Sequence, residues 1–359
     1  MAGMAALAGP AQLQGEGYNT FPFEQGKDQQ IIRLSSNENP YGPSPKMREA
    51  MTGAYDTVCR YPSSYYRSLI EMLAKKHDVS ADHILLTAGS TEGLKMAGLT
   101  YGLHGGEIVS ADPVFLALLR YAEHFGAYIH KVPLTRDFAH DLEAMEQRIT
   151  LSTRLVYICN PNNPASTLQP AGELEDFCRA VSDRTMVFSD EAYFDYIKDP
   201  NYPSMIELAK KGENVIVART FSKVYGLAGI RIGYLIARPD IIQRLGKTVM
   251  AGPNILAVVS AKAALEDEDF YQFSLQQNNK CIKMVESTLD ELGLQYAPSS
   301  TNFIFFKTGR PINEIHAAFM KEGIRVGRPF PPLTDWCRVS MGRMEEVEQL
   351  CLAMKKVMS

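Results

Sequence analysis

The chain has 359 residues, 45% hydrophobic and 22% charged, a balance typical of folded globular proteins and unlike that of disordered or fibrous chains. Its 37 Lys and Arg against 41 Asp and Glu give a net charge of −4, so neither nucleic acid nor an anionic membrane is expected as a partner. No apolar run is long enough to span a bilayer, and the seven histidines and six cysteines show no metal-ligand spacing, so no metal and reduced thiols are expected.

Residues 1–45, rich in Pro, Gly and Asn, read as an irregular arm. Residues 1–12 lack a basic start, which favours a plain terminus and a cytoplasmic protein over a trimmed export signal. Short apolar runs at 84–86, 107–110, 155–159, 186–188 and 215–218 read as buried strands. Between them, Leu69, Met72 and Leu73, then Leu116, Leu119 and Phe125, then Leu174, Phe177 and Val181 mark apolar helix faces. This alternation predicts an α/β large domain over 46–250, with a mostly parallel sheet flanked by helices. Over 251–359 the order changes: helices at 255–264 and 270–292, a strand at 302–306, a helix at 312–321, a strand at 337–340 and a last helix from 345. That pattern predicts a smaller α+β domain.

The chemistry concentrates where strands end. Lys223 stands in Arg219-Thr-Phe-Ser-Lys-Val-Tyr-Gly-Leu-Ala-Gly-Ile-Arg231, bracketed by Thr220, Ser222, glycines and Arg231. A lone lysine is usually a surface amine. One held among hydroxyls and beside a cation, partly out of water, has a lowered pKa and is a nucleophile able to form a Schiff base. Asp190 closes a buried strand in Ser189-Asp-Glu-Ala-Tyr193, where it either caps the next segment or does chemistry. Asn163 lies in Asn160-Pro-Asn-Asn-Pro164, a turn-forming run after another strand. Ser90 and Thr91 open a helix after Ala88-Gly89, which is an ordinary cap or an anion site.

Taken together these segments resemble the fold-type I pyridoxal-phosphate enzymes, within the class I and II aminotransferases. Leu34-Ser-Ser-Asn-Glu-Asn-Pro-Tyr-Gly-Pro-Ser-Pro45 and Arg60-Tyr61-Pro62 are most similar to the histidinol-phosphate aminotransferase branch. The resemblance covers nearly the whole chain. It implies pyridoxal 5'-phosphate held through an imine by Lys223, with Asp190 pairing with the protonated pyridine nitrogen. Tyr193 and Asn163 donate to the ring oxygen, which lowers the imine's pKa. Ser90, Thr91, Thr220, Ser222 and Arg231 form the phosphate cup. Phe115 matches the aromatic that stacks on the ring, core packing being the alternative. Tyr61 matches a tyrosine that reaches the neighbouring subunit's cofactor, implying a homodimer. Arg338 matches the arginine that grips the substrate α-carboxylate, and Asn39 and Tyr18 are further candidate substrate contacts.

Two departures stand out. The usual Asn-Pro-Thr-Gly turn reads Asn163-Pro-Ala-Ser166, and Gly327 stands where the branch carries an arginine for the substrate phosphate. Arg328 is one place along, and a strand period would turn it to the other face, so a substrate without phosphate is left open. Tyr18, Phe21, Phe23, Phe330 and Trp336 are candidates for a side-chain pocket or for core. The expected activity moves an amino group between an amino acid or amino-alcohol phosphate and a 2-oxo acid, both small molecules. The competing reading is a decarboxylase or β-lyase with the same cofactor. A binding module without catalysis would want a DNA-binding segment, which neither end supplies.

Overall fold

The computed structural model describes residues 31–358. Its main sheet has seven strands in the order β2-β8-β7-β6-β5-β3-β4. In chain order these are β2 (Ile84–Thr87), β3 (Glu107–Asp112), β4 (Tyr128–Pro133), β5 (Thr153–Cys159), β6 (Met186–Asp190), β7 (Val215–Thr220) and β8 (Gly233–Ile236), preceded by the short β1 (Ile32–Arg33). Six strands point the same way, while β8 is antiparallel to both its neighbours, β2 and β7.

Alternate residues of each strand feed two separate cores, as the two-residue period requires. Val156, Ile158, Val187, Val215 and Val217 pack with α2 (Ser63–His77), α6 (Ala171–Ser182) and α7 (Ile206–Lys210). Leu155, Tyr157, Phe188, Ile216 and Ala218 face α3 (Ser90–Gly102), α4 (Ala117–His124) and α8 (Pro239–Gly246). The sheet is thus buried on both sides, the α/β architecture expected from the sequence. Residues 255–265 form α9, which packs on α1 (Pro45–Gly53) and α2 and lends Ala257, Val258 and Ala261 to the first of these cores.

Two strands of the main sheet escaped the sequence reading. In β4 polar residues alternate with apolar ones because it is an edge strand, half exposed. The four residues of β8 follow a Gly-rich loop and are too short to carry a period. That strand matters, because its reversed direction turns the segment 221–232 back across the carboxyl ends of β6 and β7, carrying Lys223 with it.

The remaining chain builds a three-stranded antiparallel sheet, order β12-β10-β9, from β9 (Tyr296–Ala297), β10 (Phe303–Lys307) and β12 (Trp336–Ser340). The two-residue β11 (Ile324–Arg325) pairs with β1 instead. One face of the small sheet, with Ile304, Phe306, Cys337 and Val339, is buried under α10 (Glu268–Glu291), α11 (Ile312–Lys321) and α12 (Met344–Met358). The opposite face presents Phe303, Phe305, Trp336, Arg338 and Ser340, with Phe305 opposite Arg338 and Phe303 opposite Ser340 in register. All six cysteines are free, five of them buried.

Candidate active site

Lys223 reaches from the β7–β8 loop, its Nζ donating to the Asn37 carbonyl at 3.0 Å and lying 5.2 Å from the centre of the Tyr193 ring. Burial, reinforced by the Arg338 charge, pulls the amine down from 10.5 to about 8. A substantial fraction is therefore neutral, and nucleophilic, near physiological pH. The loop is held by a close backbone crossing: Gly226 and Gly42 approach so tightly that a Cβ on either would strike the other's main chain. This accounts for a glycine in both the lysine segment and the arm segment.

Asp190, at the end of β6, is 2% exposed. Among the described residues its carboxylate accepts only two long hydrogen bonds, from the Tyr157 hydroxyl and the Ala192 amide, each 3.3 Å. No cation of the described residues forms a salt bridge with it, and burial raises its pKa from 3.8 to about 6.

Arg338, on β12, is buried, with Nη1 donating to Asn163 Oδ1 at 2.6 Å and Nη2 to the Ser35 carbonyl at 2.7 Å. Its Nε has no partner among the described residues. The guanidinium lies 5.4 Å from the Phe303 ring and 4.9 Å from Phe330. Burial without a carboxylate partner lowers its pKa to about 10, the mark of a cation awaiting an anion.

A second group of donors gathers where α3 begins. Gly89 caps the helix at φ +81°, and a Cβ there would run into the Arg231 guanidinium. Ser90 and Thr91 supply the first turn, and their hydroxyls have no protein partner among the described residues. Arg231, itself at φ +64°, spends Nη1 on the Ala228 carbonyl. Thr220 and Ser222 share a 2.9 Å hydroxyl contact and are both buried. Free backbone N–H groups, hydroxyls and a guanidinium around one helix start make a cradle for a small anion.

The other expected residues each have their own surroundings. Phe115 packs half-buried against the core shared by α3 and α4. Asn39 spends its amide on the Val224 carbonyl at 2.7 Å and Ser274 at 3.0 Å, tying the arm to the lysine loop. Arg328 is exposed, stacked 4.4 Å from the Phe330 ring, whose other neighbour is Arg338. Phe330 and Trp336 pack with Phe305 and Ala165. Tyr61 is 94% exposed. Tyr18, Phe21 and Phe23 lie outside the described residues.

Three contributors were not singled out from sequence. Asn37, in the same motif as Asn39, is the asparagine that meets Tyr193 and Lys223. Ser340 holds Asn37. Tyr157 lay hidden in an apolar strand, although a buried tyrosine hydroxyl usually finds a partner.

The family model for aminotransferase class I and II matches residues 29–354. The histidinol-phosphate aminotransferase of Moorella thermoacetica is 39% identical over 92% of this chain and 86% of its own. That of Halalkalibacterium halodurans is 34% identical, over 92% and 89%. Among solved structures, histidinol-phosphate aminotransferase from Sinorhizobium meliloti, in complex with pyridoxal-5'-phosphate, is similar with a TM-score of 0.85 at 28% identity, covering 91% of this chain and 90% of that one. The chain therefore belongs to the class I and II aminotransferases, the pyridoxal-phosphate-dependent enzymes its motifs resemble.

Proposed function

We propose that this aminotransferase is of the histidinol-phosphate type, passing an amino group from an amino acid or an amino-alcohol phosphate to a 2-oxo acid. The observation that carries the proposal is a buried Asp190 carboxylate, held by two 3.3 Å hydrogen bonds and no salt bridge among the described residues, in the same site as a Lys223 amine whose burial lowers its pKa to about 8. Pyridoxal phosphate fits what these residues leave unmet. Asp190 would face the ring nitrogen, and a cation there would relieve its burial. Tyr193 and Asn163 would hold the ring oxygen. The α3 cradle of Ser90, Thr91, Thr220, Ser222 and Arg231 would hold the phosphate, with Phe115 over the ring.

Once bound, the cofactor supplies a sink for the electrons released as the substrate's Cα–H bond breaks. The chain's own part is to position and to move the proton. Lys223 would hold the cofactor, then, once displaced by the incoming amine, would take the proton from the substrate's Cα and deliver it to the cofactor's C4′ carbon. Arg338 would grip the α-carboxylate with the free edge of its guanidinium. For a donor lacking that group, it would serve the acceptor instead. Arg328, beside Arg338 on the shared Phe330 ring, is the candidate for a second anionic group on the substrate, and Tyr18 and Asn39 remain candidate contacts. The exposure of Tyr61 supports a homodimer in which it completes the partner's site. Mixing Lys223→Ala with Tyr61→Phe should restore activity above either alone if sites are shared.

The test is an amine-donor screen read by loss of the bound cofactor's aldehyde-form absorbance. Histidinol phosphate should outpace aromatic and basic amino acids. Release of carbon dioxide or ammonia, without the amine form of the cofactor, would instead establish a decarboxylase or lyase.

A further inference from the structure

Asn37 and Ser340 form a closed set of hydrogen bonds whose protons can be counted. The Asn37 backbone N–H donates to Ser340 Oγ at 2.8 Å, and Ser340 Oγ–H donates to Asn37 Oδ1 at 2.8 Å. Both residues are 2% exposed, so the single serine hydrogen needs an acceptor in the protein. Among the described residues its one acceptor is Asn37 Oδ1. Turning the Asn37 amide over would leave that hydrogen buried and unmatched. The amide is therefore fixed with Nδ2 toward Tyr193, 2.9 Å from the hydroxyl oxygen. An amide NH₂ only donates. Tyr193 must accept there, so its own hydrogen is turned away from Asn37.

Arg338 does the same for a second group. Its Nη1 donates to Asn163 Oδ1, which leaves the Asn163 NH₂ free to donate elsewhere. Arg338 and Ser340 share one face of β12, opposite Phe305 and Phe303. A single strand of the small sheet thus sets the proton direction of two donors that belong to the loops of the large one.

We propose that Ser340, acting through Asn37, is a positioning residue for the transamination reaction: it obliges Tyr193 to donate its proton to the cofactor's ring oxygen rather than accept one. The inference rests on the assignment of Tyr193 to that oxygen. Hydrogen bonds donated to the oxygen lower the pH at which the bound chromophore loses its proton, because they neutralise the charge that would otherwise hold it. Without the serine hydroxyl the Asn37 amide can invert, and Tyr193 then spends its hydrogen on Oδ1.

The experiment is a spectrophotometric pH titration of the holoenzyme, comparing wild type with Ser340→Ala, Ser340→Thr, Tyr193→Phe and the Ser340→Ala/Tyr193→Phe double variant. Ser340→Ala should raise the absorbance midpoint by about one unit, a tenfold change in proton affinity. Ser340→Thr keeps the hydroxyl and should restore the wild-type midpoint. In the double variant the serine change should add nothing to the shift of Tyr193→Phe. A Ser340→Ala midpoint equal to wild type, alongside a raised Tyr193→Phe midpoint, overturns the relay while leaving the role of Tyr193 intact. No shift in Tyr193→Phe itself overturns the assignment of Tyr193 and the relay with it. If Ser340→Ala fails to fold, Asn37→Asp replaces it: a carboxylate cannot donate to Tyr193, and the midpoint should move away from wild type.

Discussion

Asp190 and Glu191 are neighbours in sequence and both nearly fully buried, yet they meet opposite surroundings. Glu191 is saturated: Arg219 reaches it through Nη2 at 2.7 Å and Nε at 2.9 Å, Ser204 at 2.7 Å and the Met205 amide at 2.8 Å. Arg219 is in turn stacked 3.9 Å from the Phe194 ring. Asp190 has two bonds of 3.3 Å and no salt bridge among the described residues. The first arrangement is what a fold needs from a buried acid, since an ion pair that closes on itself repays its desolvation only through such geometry. The second is unfinished, and a missing cation is what a cofactor with a protonated ring nitrogen brings. The difference teaches where the chain uses charge for structure and where it keeps charge for a ligand.

The largest expected effect tests the ligand side. Lys223→Arg keeps a cation but offers no amine at neutral pH, so turnover should fall by roughly four powers of ten, the scale of a lost acid–base group. A single-turnover assay reading the cofactor's absorbance checks this. Next comes the structural side. Glu191→Gln leaves Arg219 as a buried, unpaired cation, and unfolding free energy should drop by roughly 3–5 kcal/mol in denaturant melts. If that variant unfolds no more easily than wild type, the saturated pair is not structural and the contrast fails.

Asp190→Asn should behave in the opposite sense. Asp190 in the folded protein titrates near 6, above its ordinary 3.8, so the folded state holds the proton more tightly than the unfolded one. The stability linked to that proton is fully present below about pH 4 and is lost as pH rises through about 6. Asparagine, never charged, keeps it. The cofactor-free variant should therefore match wild type near pH 4 and exceed it above pH 7 by up to about 3 kcal/mol. Equilibrium unfolding from pH 4 to 8 checks the prediction. Adding the cofactor should narrow the gap, because only the carboxylate gains from its positive charge.

The same comparison shows what the sequence could reveal. Lys223, Asp190, Asn163 and Arg231 were legible because each belongs to a local motif at a strand end. The α/β architecture was legible because strands buried on both faces are continuous apolar runs. The contacts that orient those groups were not, since Asn37 and Ser340 lie 303 positions apart and meet only when β12 folds against the arm. Asn39 was the asparagine named as a candidate substrate contact, yet the structure spends it on Val224 and Ser274, while the left-handed Asn37 at φ +54° turns its carbonyl to Lys223. Nothing local distinguishes the two asparagines. The edge strand β4 was missed for a related reason: half of its neighbours are water.

The smallest effect is also the sharpest probe of the unfinished acid. Tyr157 is fully buried, its hydroxyl is the only side-chain donor to Asp190 among the described residues, and that bond lowers the acid's pKa against the larger contrary effect of burial. Tyr157→Phe removes the donor and leaves the ring packed against Phe188. The upper edge of the Asp190 transition should then move above pH 6, by less than about one unit because a 3.3 Å bond is long and weak. In the Asp190→Asn background there is no proton to shift, and Tyr157→Phe should leave the pH profile unchanged. A pH shift that persists in that background would assign the tyrosine's effect to packing, and the carboxylate would have one partner fewer than its geometry indicates.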